Sequence, residues 1–149
     1  MRPSRPWTDD AGSASLEFVT VGMIMLVPLV YLVLAVASIQ AGAFAVEGAT
    51  RQAARVFVQA PNVGAAQASA QRALTFALAD HGITAPASIS VSCQPRPSTC
   101  LTRQGFVTVS IDLTVPLPLV PPVLVGNFPL AVPLHATATE QVSRFWGSR

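Results

Sequence analysis

The chain contains no lysine. Its nine basic residues are all arginine, set against seven acidic ones, for a formal net charge of +2. That charge is too small to draw a nucleic-acid backbone, and no basic cluster supplies the attraction locally. Charge of either sign is scarce, at 11% of 149 residues, and the mean hydropathy is +0.51. Such values are unusual in a soluble domain and natural in one held to a membrane. Uniform use of arginine fits a GC-rich bacterial coding bias.

The arrangements that carry catalysis are missing too. There is no Gly-x-Ser-x-Gly elbow, no His-Glu-x-x-His, no phosphate-binding glycine loop and no carboxylate pair at workable spacing. The two histidines, His81 and His135, are 54 positions apart, and both read as solvated, one at a helix end and one on the wet face of a strand. The reading is non-enzymatic, with no catalytic residue, metal, cofactor, small-molecule substrate or nucleic-acid partner expected. Cysteine is limited to Cys93 and Cys100, which bracket the polar loop Gln94–Thr99. In an exported domain that pair most simply forms a disulfide. The alternative is two free thiols in a cytoplasmic loop; two cysteines without a histidine at ligand spacing do not make a zinc site.

What the chain has is a charge-free run. Between Glu17 and Glu47 lie 29 uncharged residues, Phe18–Val46. About 20 apolar residues at 1.5 Å each span a bilayer core, so the run is long enough to cross one. It follows a leader, Met1–Gly12, that holds Arg2 and Arg5 but also Asp9 and Asp10. The charge rule for orientation is divided, because Arg51 and Arg55 follow the run on the other side. Helical pattern continues from Ser13 to about Val58, interrupted by Pro28, and ends at Pro61-Asn62. A helix of that length reaches about 70 Å, more than twice the bilayer core. Its second half turns amphipathic, with Glu47, Arg51 and Arg55 on a polar face. Ala37, Ala41, Ala45, Ala49 and Ala53 recur every four residues, a candidate stripe for helix packing. Alanine richness alone, 23 of 149 residues, is the other account.

Beyond Pro61, Val63–His81 reads as a second helix. Its apolar face is Val63, Ala66, Ala70, Ala73, Leu74, Ala77 and Leu78, with Asn62 to cap its start and Gly82 its end. Three stretches then alternate apolar with polar: around Ile89 and Val91, from Val107 to Val115, and from Leu130 to Val142. The expected fold class is α+β, with a long N-terminal transmembrane and amphipathic helix, a second helix and a small antiparallel sheet of about three strands. The domains are a leader, 1–12, the long helix, 13–58, and a head, 62–149. Pro116–Pro129 is uncharged and proline-rich, so it cannot be a regular central strand; it either folds over the sheet or forms an apolar contact patch. The tail Arg144–Arg149 reads as either a frayed terminus or a membrane-interface contact.

Glu17 is the ionisable residue that needs a reason. The dipole at a helix N-terminus favours a carboxylate there by about 0.3–1 kcal/mol, which would explain a glutamate on any such helix. A cut after Gly12 would instead place a new α-amino group on Ser13, one helical turn away, where ammonium and carboxylate neutralise one another.

A glycine followed five residues later by a glutamate, at the mouth of an apolar span, resembles the processing site of type IV prepilins. Ser15-Leu16-Glu17-Phe18, the span, and Val46-Glu47-Gly48-Ala49-Thr50-Arg51-Gln52-Ala53-Ala54-Arg55 are similar to the TadE-like proteins, the pseudopilins or minor pilins of tight-adherence (Flp-type) pilus systems. Such chains usually place a proline earlier in the span than Pro28. The resemblance implies cleavage by a prepilin peptidase between Gly12 and Ser13, and a role for Glu17 in docking the subunit during assembly. It implies single-pass anchoring in the bacterial cytoplasmic membrane with the C-terminal head outside. The partners it implies are the peptidase, other pilin-like subunits, the membrane platform of the pilus or a related secretion machine, and the lipid bilayer. Two other readings remain. One is a secreted protein with a signal peptide cut after Ala37 or Ala43. The other is a plain single-span envelope binding protein in which Glu17 is incidental.

Overall fold

The structure is a computed structural model that describes residues 13–119 and 131–147. The elements, in chain order, are α1 (Ser13–Gln59), α2 (Val63–Asp80), β1 (Ala87–Gln94), β2 (Phe106–Pro116) and β3 (Ala131–Gln141). The fold class is α+β: two helices and one three-stranded antiparallel sheet in the order β1-β2-β3. α1 is 47 residues long and keeps Pro28 in its interior. Two compact units divide it, Met1–Val36 and Ala37–Arg149.

The described part of the first unit is helix alone. The second is a folded head built from the rest of α1, α2 and the sheet. It begins inside the helix, before the expected head boundary at residue 62, because Val46, Ala49, Ala53, Ala54 and Phe57 are themselves core residues. They are buried with Val107, Val109, Ile111 and Leu113, the inward positions of β2, and with Ala66, Ala70 and Leu74 of α2. Period two on the strand and period 3.6 on the helices put these residues on facing surfaces, and full burial of each large side chain contributes about 1.5–3 kcal/mol.

Local chemistry fixes the ends of α2. The Asn62 side-chain oxygen accepts from the Ala65 amide at 2.8 Å, satisfying one of the orphan donors of the first turn. At the other end Gly82 sits at φ +66, a left-handed conformation that suits glycine. The Gly82 amide bonds to Ala79 and the Ile83 amide to Leu78, closing the last turn, and Ile83 packs on the core. Val63, expected on the buried face, is 39% exposed, and burial on α2 begins at Ala66.

α1 approaches the sheet closely. A Cβ on Gly42 would lie 2.8 Å from Val115 Cγ2 and 2.9 Å from Leu134 Cδ1, so glycine is the residue that fits. The only buried polar side chain among the described residues is Thr50, whose hydroxyl donates to the Val46 carbonyl at 2.6 Å.

Candidate functional site

Within the first unit the large apolar side chains face outward on every side of the helix, and Ala35 is the one buried residue among those described. Fifteen large ones, from Leu16 through Val36, are exposed, Phe18 by 80%. Only 6% of the most apolar 18-residue window is buried. A helix that is apolar all round belongs in a core or a bilayer, and this one is in no core. At about 1.5–3 kcal/mol per side chain, leaving it in water forfeits tens of kcal/mol. Among the described residues this is the one helix long and apolar enough to cross a membrane.

Glu17 is exposed and lies just past the first turn of α1, which holds no acidic residue. The helix dipole is strongest within the first turn, so it gives a reduced account of a carboxylate at this position. The next polar side chain, Thr20, donates its hydroxyl to the Leu16 carbonyl at 2.7 Å and so is satisfied within the apolar stretch. Ser13 is the first residue of α1, whereas Gly12 and the rest of the leader lie outside the described residues. So does most of the Pro116–Pro129 segment.

The five alanines do not share one face. A helix turns about 100° per residue, so each four-residue step rotates by about 40°, and five alanines sweep about 160°. Ala45, Ala49 and Ala53 are buried in this chain's own core, while Ala37 and Ala41 are exposed. The stripe therefore serves two surroundings, with its lower three positions already occupied by the head.

Cys93 and Cys100 are joined in a disulfide, with Cα atoms 5.1 Å apart. Cys93, at the end of β1, is buried at 4% exposure, which ties the loop Gln94–Thr99 to the sheet. The Glu47–Arg51 ion pair forms as the spacing predicts, but both partners are more than half exposed and it contributes only a few tenths of a kcal/mol.

The described part of the tail, as far as Gly147, is tied to the head through Trp146. Trp146 Nε1 donates to the Ala60 carbonyl at 3.0 Å, satisfying a backbone acceptor left over at the end of α1, and Arg103 Nε donates to the Trp146 carbonyl at 3.0 Å. Isolated aromatic and arginine residues near a chain end gave no sign of these partners.

Sequence reasoning placed His135 on the wet face of a strand but missed how that outer face is bonded from strand to strand. Thr108 and Thr139 share a hydroxyl hydrogen bond of 2.8 Å, and Ser110 and Thr137 one of 3.1 Å. In the next row His135 Nδ1 is 2.7 Å from Asp112 Oδ1, and its Nε2 is 3.0 Å from the Thr137 hydroxyl. The order carboxylate, imidazole, hydroxyl is that of a nucleophile relay. Here, however, His135 and Asp112 are each about 60% exposed on a strand face, so water screens the pair, and the Thr137 hydroxyl is shared with Ser110. The alternation of Ser and Thr in each strand was the available signal; the register that aligns the rows was not.

The chain shows no match to a protein family, to a curated protein or to a solved structure.

Proposed function

We propose that this chain is a non-enzymatic, membrane-anchored subunit of the TadE-like, pseudopilin kind. It takes part in the assembly or initiation of a tight-adherence pilus or a related secretion machine. In this reading a prepilin peptidase cuts between Gly12 and Ser13, residues of α1 as far as Val36 cross the cytoplasmic membrane, and the head stands outside. The carboxylate of Glu17 then meets the new ammonium of Ser13, on its own chain or on a neighbour, and guides the subunit into the assembly.

The observation that carries the proposal is a single helix whose first half exposes apolar side chains on all sides and whose second half is the core of an α+β head. Three further features support it. The head carries a disulfide, as expected of a domain outside the cytoplasm. Glu17 sits where the dipole explains it less well. The signal-peptide cut sites after Ala37 and Ala43 lie inside α1, and a cut after Ala43 would sever Gly42 from the head it packs against.

The test is Gly12→Arg in cells that hold the peptidase. The variant accumulates as the full-length precursor in the membrane while the parent is shortened. Equal lengths for the two proteins would refute processing at this site.

A further inference from the structure

Among the described residues the sheet ends in two open edges. The strands β1 and β3 pair only with β2, and among the described residues no backbone bond reaches the outer side of either one. β3 carries Pro133 and Glu140 near its two ends, and Ala136–Thr139 between them holds no proline and no charge. β1 carries no such protection. Ala87–Gln94 holds no charge and no proline, and all eight residues pair in unbroken register with β2. Proteins normally block an edge like this with charge, proline or a bulge, because it accepts another strand.

The two edges also match in chemistry. Through β2, Ser90 is level with Ser110 and Thr137, and Ser92 with Thr108 and Thr139. Hydroxyl rows thus run across the outer face from one edge to the other. On the inner face, half-buried Ile89 and Val91 at one edge are level with the small, half-buried Ala136 and Ala138 at the other.

We propose that the β1 edge of one head pairs with the β3 edge of a second copy of this chain, continuing the sheet from molecule to molecule. A lateral repeat brings Ser90 beside Thr137 of the next copy and Ser92 beside its Thr139, so the hydroxyl rows extend. Ile89 and Val91 meet Ala136 and Ala138, large against small, and no like charges oppose. Both strands are antiparallel to β2, so they run in the same direction and the joint is parallel.

Direction selects this joint over a twofold one. α1 runs alongside β3, with Gly42 near Leu134 and Ala60 bonded to Trp146 just past the strand. Pairing β1 with a second β1 in antiparallel fashion would reverse α1 in the second head. Two helices running in opposite directions do not enter their heads from one membrane surface, so the head-to-tail joint is the one open to anchored copies. The inference therefore rests on the anchoring proposed above. One edge buries less than the roughly 1,200 Å² at the low end of stable interfaces, so the joint depends on confinement to hold it.

The test is disulfide trapping of the full chain in native membranes, using Ser90→Cys and Thr137→Cys with the Cys93–Cys100 bridge intact. Within one chain the two positions are two strands, or about 10 Å, apart, beyond the roughly 7 Å limit for a disulfide. Coexpressed single variants give a mixed dimer, the double variant gives a ladder of oligomers, and adding Val91→Lys lowers the cross-linked fraction at least fivefold. A Ser90→Cys variant that cross-links to itself as readily, or no cross-link in chains recovered with the membrane, overturns the joint and leaves the anchoring standing. Fractionation of the same sample reads the anchoring separately. Chain found only in the soluble fraction refutes the anchoring and the joint with it.

Discussion

Gly42 offers the sharpest check on how α1 meets the sheet. An added Cβ would fall 2.8 Å from Val115 Cγ2 and 2.9 Å from Leu134 Cδ1, about 1 Å inside ordinary carbon contact. Leu134 can turn its terminal methyl aside, but Val115 is β-branched and stiff, so strain of about 1–3 kcal/mol is expected. Against this, alanine is favoured over glycine in a helix by about 1 kcal/mol. Gly42→Ala should then lower head stability by about 1 kcal/mol. Gly48, on the same helix, has open space where a Cβ would stand, with nothing within 4 Å. Only the helix preference acts there, so Gly48→Ala should raise stability by about 0.5–1 kcal/mol. The assay is urea unfolding of the full chain in detergent, followed by Trp146 fluorescence in a Trp7→Phe background. With a slope near 1 kcal/mol/M for a small unit, the two midpoints move in opposite directions by about 1 M. If Gly42→Ala raises the midpoint as Gly48→Ala does, the close approach is wrong.

The other expectations concern the head's tethers and the membrane end. Removing the bridge with Cys93→Ala and Cys100→Ala should lower head stability by about 2–3 kcal/mol, and the native pair should resist a thiol reagent until reduced. Trp146→Phe keeps an aromatic ring but loses the bond to the Ala60 carbonyl, so urea unfolding followed by circular dichroism should show a loss of about 1 kcal/mol. Glu17→Ala should leave insertion, cleavage and head stability unchanged while piliation or partner capture falls; a wild-type result in a piliation assay would make the helix dipole a sufficient account of Glu17.

Most of the fold was legible because each element announces its period. The strands emerged from strict alternation, as in Val107 to Val115, and the start of α2 from Asn62, whose side chain can reach the first free amides. The long helix followed from an apolar run that continues as an amphipathic pattern until Pro61 breaks it. The site was legible only where chemistry is local: the cysteine pair eight positions wide counting both ends, and the Glu47–Arg51 spacing. Features that depend on which surfaces meet stayed hidden. A four-residue alanine spacing looks like a stripe on paper but winds around a 3.6-residue helix, which is why Ala53 is buried and Ala37 is exposed. Gly42 and the Trp146 tether depend on contacts with partners far along the chain. The hydroxyl rows need a register that alternation alone does not fix.

The central claim is that the chain is processed as a pilin-like subunit, and the mature N-terminus tests it most directly. Intact mass of the protein purified from the cell envelope should correspond to a chain beginning at Ser13, with Glu17 as its fifth residue. A chain still beginning at Met1, or one cut after Ala37 or Ala43, would contradict the account.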